Sequence, residues 1–462
     1  MPGIQDFIQL IASNIWIYGG SFLLVLSVLV FVHEMGHYLV ARWCGVRIET
    51  FSIGFGKEIW GFQDKHGTHW KVSMVPLGGY VKMFGDTDPA SAGQTDKVQD
   101  GNNPPRSMTA EERGEAFFAK KVWQRFLIVL AGPGINYLFA ILLLSGLYAF
   151  HGQAVTPPEA AGIIRESAAD IAGIQPHDRI IMIGGHRIQR FEDIRREIAV
   201  NLDQETEVVV LRDGQKISFM ATPLREETKD RHGFHQSRGL LGVLSAGNGV
   251  DISKITMIDG VQITDVDQAR QMLIERMDQV FLVTLAESDD NGMTLTVRPK
   301  SENNAGLTDS SSPDYNALVL GVKIEDDILQ HGPVDAVVAA TQETYKVTIS
   351  TLQAIGQIFT GTRSAKELGG IIRIGAIAGD MAQMGIVALV GFTALLSINL
   401  GLINMFPIPM LDGGHLVFYA AEALRGKPIS ERIQEYAFRL GLAILVGIMV
   451  FANLNDILQL AL

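Results

Sequence analysis

Five consecutive residues carry the plainest chemistry in this sequence: His33-Glu34-Met35-Gly36-His37. On a helix, positions i and i+4 share a face, so both imidazoles can reach one ion while Glu34, one step round, points at the ion's open side. That spacing suits zinc binding and the activation of a water molecule. The motif stands inside an apolar run, where a charged side chain costs about 2.5–3.5 kcal/mol even on a lenient insertion scale, so ionisable residues kept there are functional by default. Two histidines leave a hydrolytic zinc one protein ligand short of three. Asp412, His415, His66, His69 and Glu422 are the candidates for the third. Asp412 is preferred for its company: Pro407 and Pro409 before it stop a helix from continuing, and Gly413-Gly414 after it permit tight turns. A carboxylate there can be held on non-helical backbone facing a cavity. The single cysteine, Cys44, cannot form an intramolecular disulfide or a multi-thiolate site, which leaves His and carboxylates to hold any metal.

The elements that must position these residues are membrane spans. With 462 residues, 47% hydrophobic and 19% charged, and a mean hydropathy of +0.20, the chain is too apolar for an ordinary soluble protein. Four apolar runs are long enough to cross ~30 Å of hydrocarbon, at about 15–40, 122–150, 386–410 and 436–454. The first lacks a basic flank before it and a small-residue cleavage site after it, so it is expected to stay in the mature protein. The 38 basic against 50 acidic residues give a net charge of −12, with no basic excess to hold phosphates, so nucleic acid is not an expected partner. Residues 1–20 contain no Lys or Arg, whereas a basic series from Arg42 to Lys121 follows the first run. The positive-inside rule then places 41–121, and the loop with Arg425, Lys427 and Arg432, in the cytoplasm, with both termini outside.

Residues 151–385 are thereby expected outside. Strands are predicted at 161–165, 180–183, 207–212 and 216–221, with a helix at 193–200. A second, shorter set follows: strands at 255–258, 280–285 and 293–297, and a helix at 265–276. The repeated order reads as two related β-rich modules, at 151–225 and 238–300. Residues 301–314 read as loop. Within a juxtamembrane region at 315–385, apolar positions at 334–359 recur at helical spacing but are interrupted by Asp335, Gln342, Glu343 and Lys346, which predicts an amphipathic helix lying on the membrane. Residues 70–75 and 80–83, joined by Pro76-Leu77-Gly78-Gly79, predict a hairpin near the metal motif within the 1–121 region.

HEMGH in a first span, Asn-x-x-Pro-x-Pro-x-Leu-Asp-Gly-Gly-His ending a later one, and the modules between them resemble the site-2 protease family of intramembrane zinc proteases, in particular its RseP-like branch. The resemblance implies a multi-pass α-helical inner-membrane protein of about four spans, with a membrane-associated β-hairpin and two periplasmic PDZ-like α+β modules. It implies zinc held by His33, His37 and Asp412, with Glu34 as general base and the active site near the cytoplasmic side. It also implies contacts to substrate backbone from Asn404 and Asn399, and from the hairpin at Gly78, Gly79 and Tyr80. Implied substrates are single-pass proteins within the bilayer, namely an anti-sigma factor after an upstream site-1 type protease has cut it, and remnant signal peptides. Gly132-Pro133-Gly134-Ile135-Asn136 is similar to the family's Gly-Pro-x-x-Asn segment; from the residues themselves, the Gly and Pro favour close helix packing and Asn136 an interhelical hydrogen bond.

Three features depart from the family pattern. His177 stands where glycine is usual in the first module, the second module lacks a preceding strand and helix, and Gly369-Gly370-Ile371-Ile372 replaces a Gly-Pro before the third span. Two other functions share part of this pattern. A transporter also places polar residues in spans, but four spans without paired inverted halves do not suit one. A catalytically dead peptide-binding scaffold would not need Glu34.

Overall fold

The computed structural model describes residues 15–86, 97–98, 106–247, 249–286, 292–321 and 328–461. Its framework helices are α1 (Ile15–Trp43), α2 (Val122–Phe150), α3 (Phe191–Val200), α4 (Pro333–Thr360), α5 (Ile371–Gln383), α6 (Ile386–Asn404), α7 (Asp412–Arg425) and α8 (Glu431–Ala461). Four of them, α1, α2, α6 and α8, are long and apolar enough to cross a membrane. Many of their large apolar side chains, among them Leu24, Leu142, Leu395 and Phe451, are exposed on the protein, as a helix facing lipid requires. The third span ends at Asn404, earlier than its apolar run, because Pro407 and Pro409 cannot continue a helix.

The N-terminal β element consists of β1 (Ile48–Gln63) and β2 (His69–Met83), both sharply bent. Residues 50–53 pair with 79–82 on one side and with 69–72 on the other, while residues 58–63 pair with 69–73. The predicted hairpin between 70–75 and 80–83 is therefore not what forms: the two segments flank residues 50–53, and 79–83 is an edge. Sequence alone missed the partner because the strand-like pattern of 48–63 is broken by glycines at 54, 56 and 61; Gly54 and Gly56 take positive φ.

Beyond α2, β4 (Arg179–Ile183), β5 (Thr206–Arg212) and β6 (Gln215–Ala221) form an antiparallel sheet with the short strand His186–Arg187, close to the predicted segments. Alternate residues Ile180, Val208 and Val210 bury one face of it, and α3 covers them through Ile194 and Ile198. The second unit completes itself by borrowing. Strand β3 (Gly162–Ile164), from the first unit, pairs with β9 (Val243–Leu244) on one side and with β12 (Met293–Val297) on the other. Through β12 it continues to β11 (Phe281–Leu285), β10 (Ile255–Ile258) and Val261–Gln262 as one six-stranded sheet. The strand that the second repeat lacks is thus supplied from outside it, and the two units share a sheet.

Two features were not foreseen. A hairpin of β7 (Leu224–Lys229) and β8 (His235–Leu240) carries few apolar residues, and its turn is held by charge instead. Asp380 of α5 accepts from Arg231 and from His232 Nε2 at 2.7 Å, and from the Tyr18 hydroxyl of α1 at 3.3 Å, while Phe234 packs on Ala376 and Leu460. Residues 301–308, predicted as loop, form two short 3₁₀ turns.

Helix α4 starts with Pro333 in its first turn and closes on Gly361 at φ 80°, a favourable pair of ends. Ala340 packs into a core with Ala140, Leu144, Ala394 and Ile398 of α2 and α6. Glu343 accepts from Arg190 (2.6 Å) and Arg196, and Lys346 donates to Asp193 of α3 at 2.9 Å. Two of the residues that interrupt its apolar pattern, Glu343 and Lys346, are thus matched by charges on or next to α3, while Val334, Tyr345 and Phe359 stay exposed.

Candidate metal centre

The HEMGH residues lie in the second half of α1, where its helical rise stacks His33 over His37. Their Nε2 atoms stand 3.3 Å apart. Asp412, the first residue of α7, brings its Oδ2 to 3.2 Å from His33 Nε2 and 3.6 Å from His37 Nε2. Among the described residues this is the one group of three His, Cys, Asp or Glu side chains close enough to share an ion.

Local sequence explains each approach. Gly36 lets α1 and α2 come nearly into backbone contact; a Cβ there would lie 2.7 Å from Ile135 Cγ2 and 2.8 Å from the Ala131 carbonyl carbon. Gly132 of α2 faces the two imidazoles, and a Cβ on it would lie 2.5 Å from His37 Cε1 and 2.9 Å from His33 Cε1. On the other side the chain reverses after α6 through Pro407 and Pro409, with Met410 at φ 89°, before α7 begins. Gly413 and Gly414 lie against the carbonyls of Met405, Phe406 and Ile408, closer than a side chain would permit.

The electrostatics fit a cation. Burial pushes the Asp412 carboxyl up, but the adjacent imidazoles outweigh it and hold its pKa well below the usual range, so it is ionised. Its Oδ2 has no hydrogen-bond partner although it is buried. His37 Nδ1 donates to the Ile128 carbonyl at 2.9 Å, so that in the neutral ring the Nε2 lone pair would face the gap. Two imidazole nitrogens and one carboxylate oxygen around a common point are a donor set that zinc takes.

A cavity of about 860 Å³ opens on this group, lined among others by Glu34, Gly78, Gly79, Tyr80 and Asn404. Gly79 sits so near α1 that a Cβ would be 2.7 Å from Val30 Cγ1 and 3.3 Å from Glu34 Cγ. The backbone N–H of Val81 is directed at the Glu34 carboxylate. Asn399, by contrast, turns away and accepts from the Thr351 hydroxyl of α4 at 3.3 Å. Three other candidate ligands have other partners: His69 pairs with Glu58 at 2.8 Å, Glu422 with Arg125 at 2.7 Å, and His415 packs on Phe438 with its pKa pulled down by burial, while His66 sits in the turn between β1 and β2, outside the three-residue group. Sequence reasoning did not find Ile128, Gly132 or the Arg125–Glu422 pair as neighbours of the site; only the Gly-Pro-Gly-Ile-Asn segment hinted at α2.

The sequence profile of Peptidase family M50 matches residues 21–448. A protein of Agrobacterium fabrum named as a zinc metalloprotease is 36% identical over 439 residues, covering 95% of each chain. The regulator of sigma E protease of Haemophilus influenzae is 33% identical over 464 residues, 96% of this chain and 98% of its own. The regulator of sigma-E protease RseP of Escherichia coli is 33% identical over 470 residues, 95% and 98%. With a profile that runs across both histidines, Glu34 and Asp412, and relatives that match from end to end, the chain belongs to peptidase family M50 and is a zinc metalloprotease.

Proposed function

We propose that this protease works inside the bilayer of the bacterial inner membrane, hydrolysing transmembrane segments of single-pass proteins. The observation that carries the reading is the convergence of His33, His37 and Asp412 beside Glu34, at the end of a spanning helix and next to an open β edge. His33, His37 and Asp412 would hold the zinc, through the Nε2 and Oδ2 atoms that converge there. When bound, zinc supplies Lewis acidity, polarising the scissile carbonyl and lowering the pKa of water toward ~7. Glu34 takes a proton from the attacking water on its carboxylate and passes it to the leaving nitrogen, so that the C–N bond breaks with OH added to carbon and H to nitrogen. A helical peptide bond has its carbonyl engaged, so the substrate must unwind first. Among the described residues the edge at 79–83 has a paired strand on one side only, which suits it to receive the unwound segment through backbone hydrogen bonds. Gly78, Gly79, Tyr80 and Asn404 contact that segment; Asn399, bonded to Thr351, serves helix packing instead.

The wider reading is regulated intramembrane proteolysis. The basic flank at 41–121 supports a cytoplasmic side for the β element, with both termini and the sheet-rich units, read as PDZ-like, in the periplasm. Two relatives are named as regulators of sigma E, which favours a substrate in sigma-factor control; an anti-sigma factor cut first by a site-1 type protease, with remnant signal peptides as a second class, is what the family resemblance implies. Bulky outer domains would collide with the sheet-rich units before their helices reached the zinc, so these units act as a size filter.

The test is metal content beside activity. Detergent-purified protein should hold about one zinc per chain; Glu34→Gln keeps the metal and loses cleavage of a membrane reporter, Asp412→Ala loses both, and His415→Ala keeps the metal. Zinc retained in Asp412→Ala beside zinc lost in His415→Ala would overturn the ligand set.

A further inference from the structure

Helix α2 contributes no candidate ligand, yet one face of it touches the support of all three. The residues on that face are Arg125, Ile128, Gly132 and Asn136, spaced three, four and four apart as one helical stripe requires. Ile128 offers its carbonyl to His37 Nδ1, and Gly132 opens the space in which the two imidazoles sit. Arg125, itself nearly buried, pairs with Glu422 at 2.7 Å, ten residues along α7 from Asp412. Asn136 is fully buried, and its side-chain nitrogen lies 3.0 Å from His33 Nδ1.

The last contact has a chemical consequence. On the proposed ligand reading, on which this inference rests, His33 binds through Nε2, the atom nearest Asp412. A neutral imidazole that gives its Nε2 lone pair to a metal must carry its proton on Nδ1, where it is a donor. Two donors cannot satisfy each other, so the amide must present its oxygen. The two ends of the amide have the same shape, and Asn136 Oδ1 has no partner where it now stands, so a half-turn of the amide breaks no bond to oxygen. The helix itself is pinned there, because Ser397 of α6 donates to the Asn136 backbone carbonyl at 2.8 Å.

We infer that Asn136 is a positioning residue for the metal, holding His33 through its side-chain carbonyl in the tautomer that binds zinc. It plays for His33 the part that the Ile128 carbonyl plays for His37.

The experiment measures zinc affinity of the full chain in detergent by competition with a chelator, alongside the thermal midpoint of the zinc-stripped protein. Asn136→Leu removes the acceptor and fills the same space; its zinc affinity should fall about 10–100-fold, the usual cost of losing such a partner, with the zinc-free midpoint little changed. Asn136→Asp keeps an acceptor and should bind zinc within about threefold of the wild type, a rescue that a purely space-filling role would not predict. Where Asn136→Leu does not accumulate, Asn136→Ala takes its place with the same expectation. Wild-type affinity in the apolar variant, or an Asp variant as weak as the apolar one, overturns the inference. His33→Ala separates the two readings: if it retains zinc, the ligand set is wrong, whereas loss there beside retention in Asn136→Leu sinks only the role of Asn136.

Discussion

Replacing Gly132 by alanine is a one-carbon test of the metal centre. The added Cβ would lie 2.5 Å from His37 Cε1, closer still to its Nε2, and 2.9 Å from His33 Cε1. Non-bonded carbons settle at about 3.5–4.0 Å, so the imidazole or the helix must yield by roughly 1 Å. Metal sites tolerate ligand displacements of about 0.2 Å, which the shift exceeds several-fold. A 1 Å misplacement of catalytic machinery costs about 10²-fold in rate, or about 2.7 kcal/mol at 1.36 kcal/mol per tenfold. Gly132→Ala should therefore lose most of its zinc and at least ~10²-fold in cleavage of a membrane-anchored reporter, on the same scale. Gly134→Ala is the control: it lies two residues along the same helix with nothing within 4 Å of its added carbon, and should keep activity while gaining up to about 1 kcal/mol in helix stability. Gly132→Ala with full zinc and an unchanged rate would refute the geometry from which the site is argued.

Other perturbations test the surroundings. Asp380→Asn strips the buried His232 and the Arg231 guanidinium of their shared anion; local opening of residues 230–235 should become easier by about 2 kcal/mol, roughly 30-fold in hydrogen exchange, and unchanged protection there would show that the turn is held otherwise. Burial pushes the Asp86 carboxyl up to about 7, with Glu49 adding to the shift and Lys82 opposing it. The folded state thus disfavours the ionised form, and stability is lost as pH rises from about 4, the unfolded pKa, to about 7. Asp86→Asn should raise the thermal midpoint at pH 8 by an amount that vanishes near pH 4, and a gap independent of pH would contradict this. For orientation, single cysteines in protein lacking Cys44 should be shielded in intact cells from impermeant reagent at Asp64 and Gly426 and labelled at Gly214 and Ser310. Labelling at position 64 from outside would reverse the topology.

Much of this protein is legible from pattern alone, and the reasons differ by element. The spans are readable because a bilayer demands long apolar runs and little else produces them; their ends are less so, since α6 stops short of its run at the prolines and α8, Glu431–Ala461, extends past its run at both ends. Strands β5, β6 and β12 lay within about a residue of their predicted bounds because alternation and Asp-Gly turns are local signals. Pairing is not local. Nothing in residues 69–83 says that 50–53 will come between its halves, and nothing in 162–164 says that this strand will serve two units. The β7–β8 hairpin escaped notice because charge on a distant helix, rather than apolar alternation, holds its turn. His33, Glu34, His37 and Asp412 could be singled out because ionisable residues stand out against an apolar background. Asn136 and Gly132 were visible only as packing residues, since neither carries charge and each matters through what it faces.

On the proposed ligand set, the metal centre is closed by residues from opposite ends of the chain, with His37 and Asp412 separated by roughly 375 positions. A ribosome working at about 5–20 residues per second takes roughly 20–75 s to cover that distance. Throughout that interval the first span is already made while its histidines lack their carboxylate. The reversal at 405–411 cannot form until the third span exists to be reversed, so hydrolytic power arrives only once that span and the residues after it have been made. A chain abandoned midway leaves an inert membrane fragment rather than a loose blade among its neighbours.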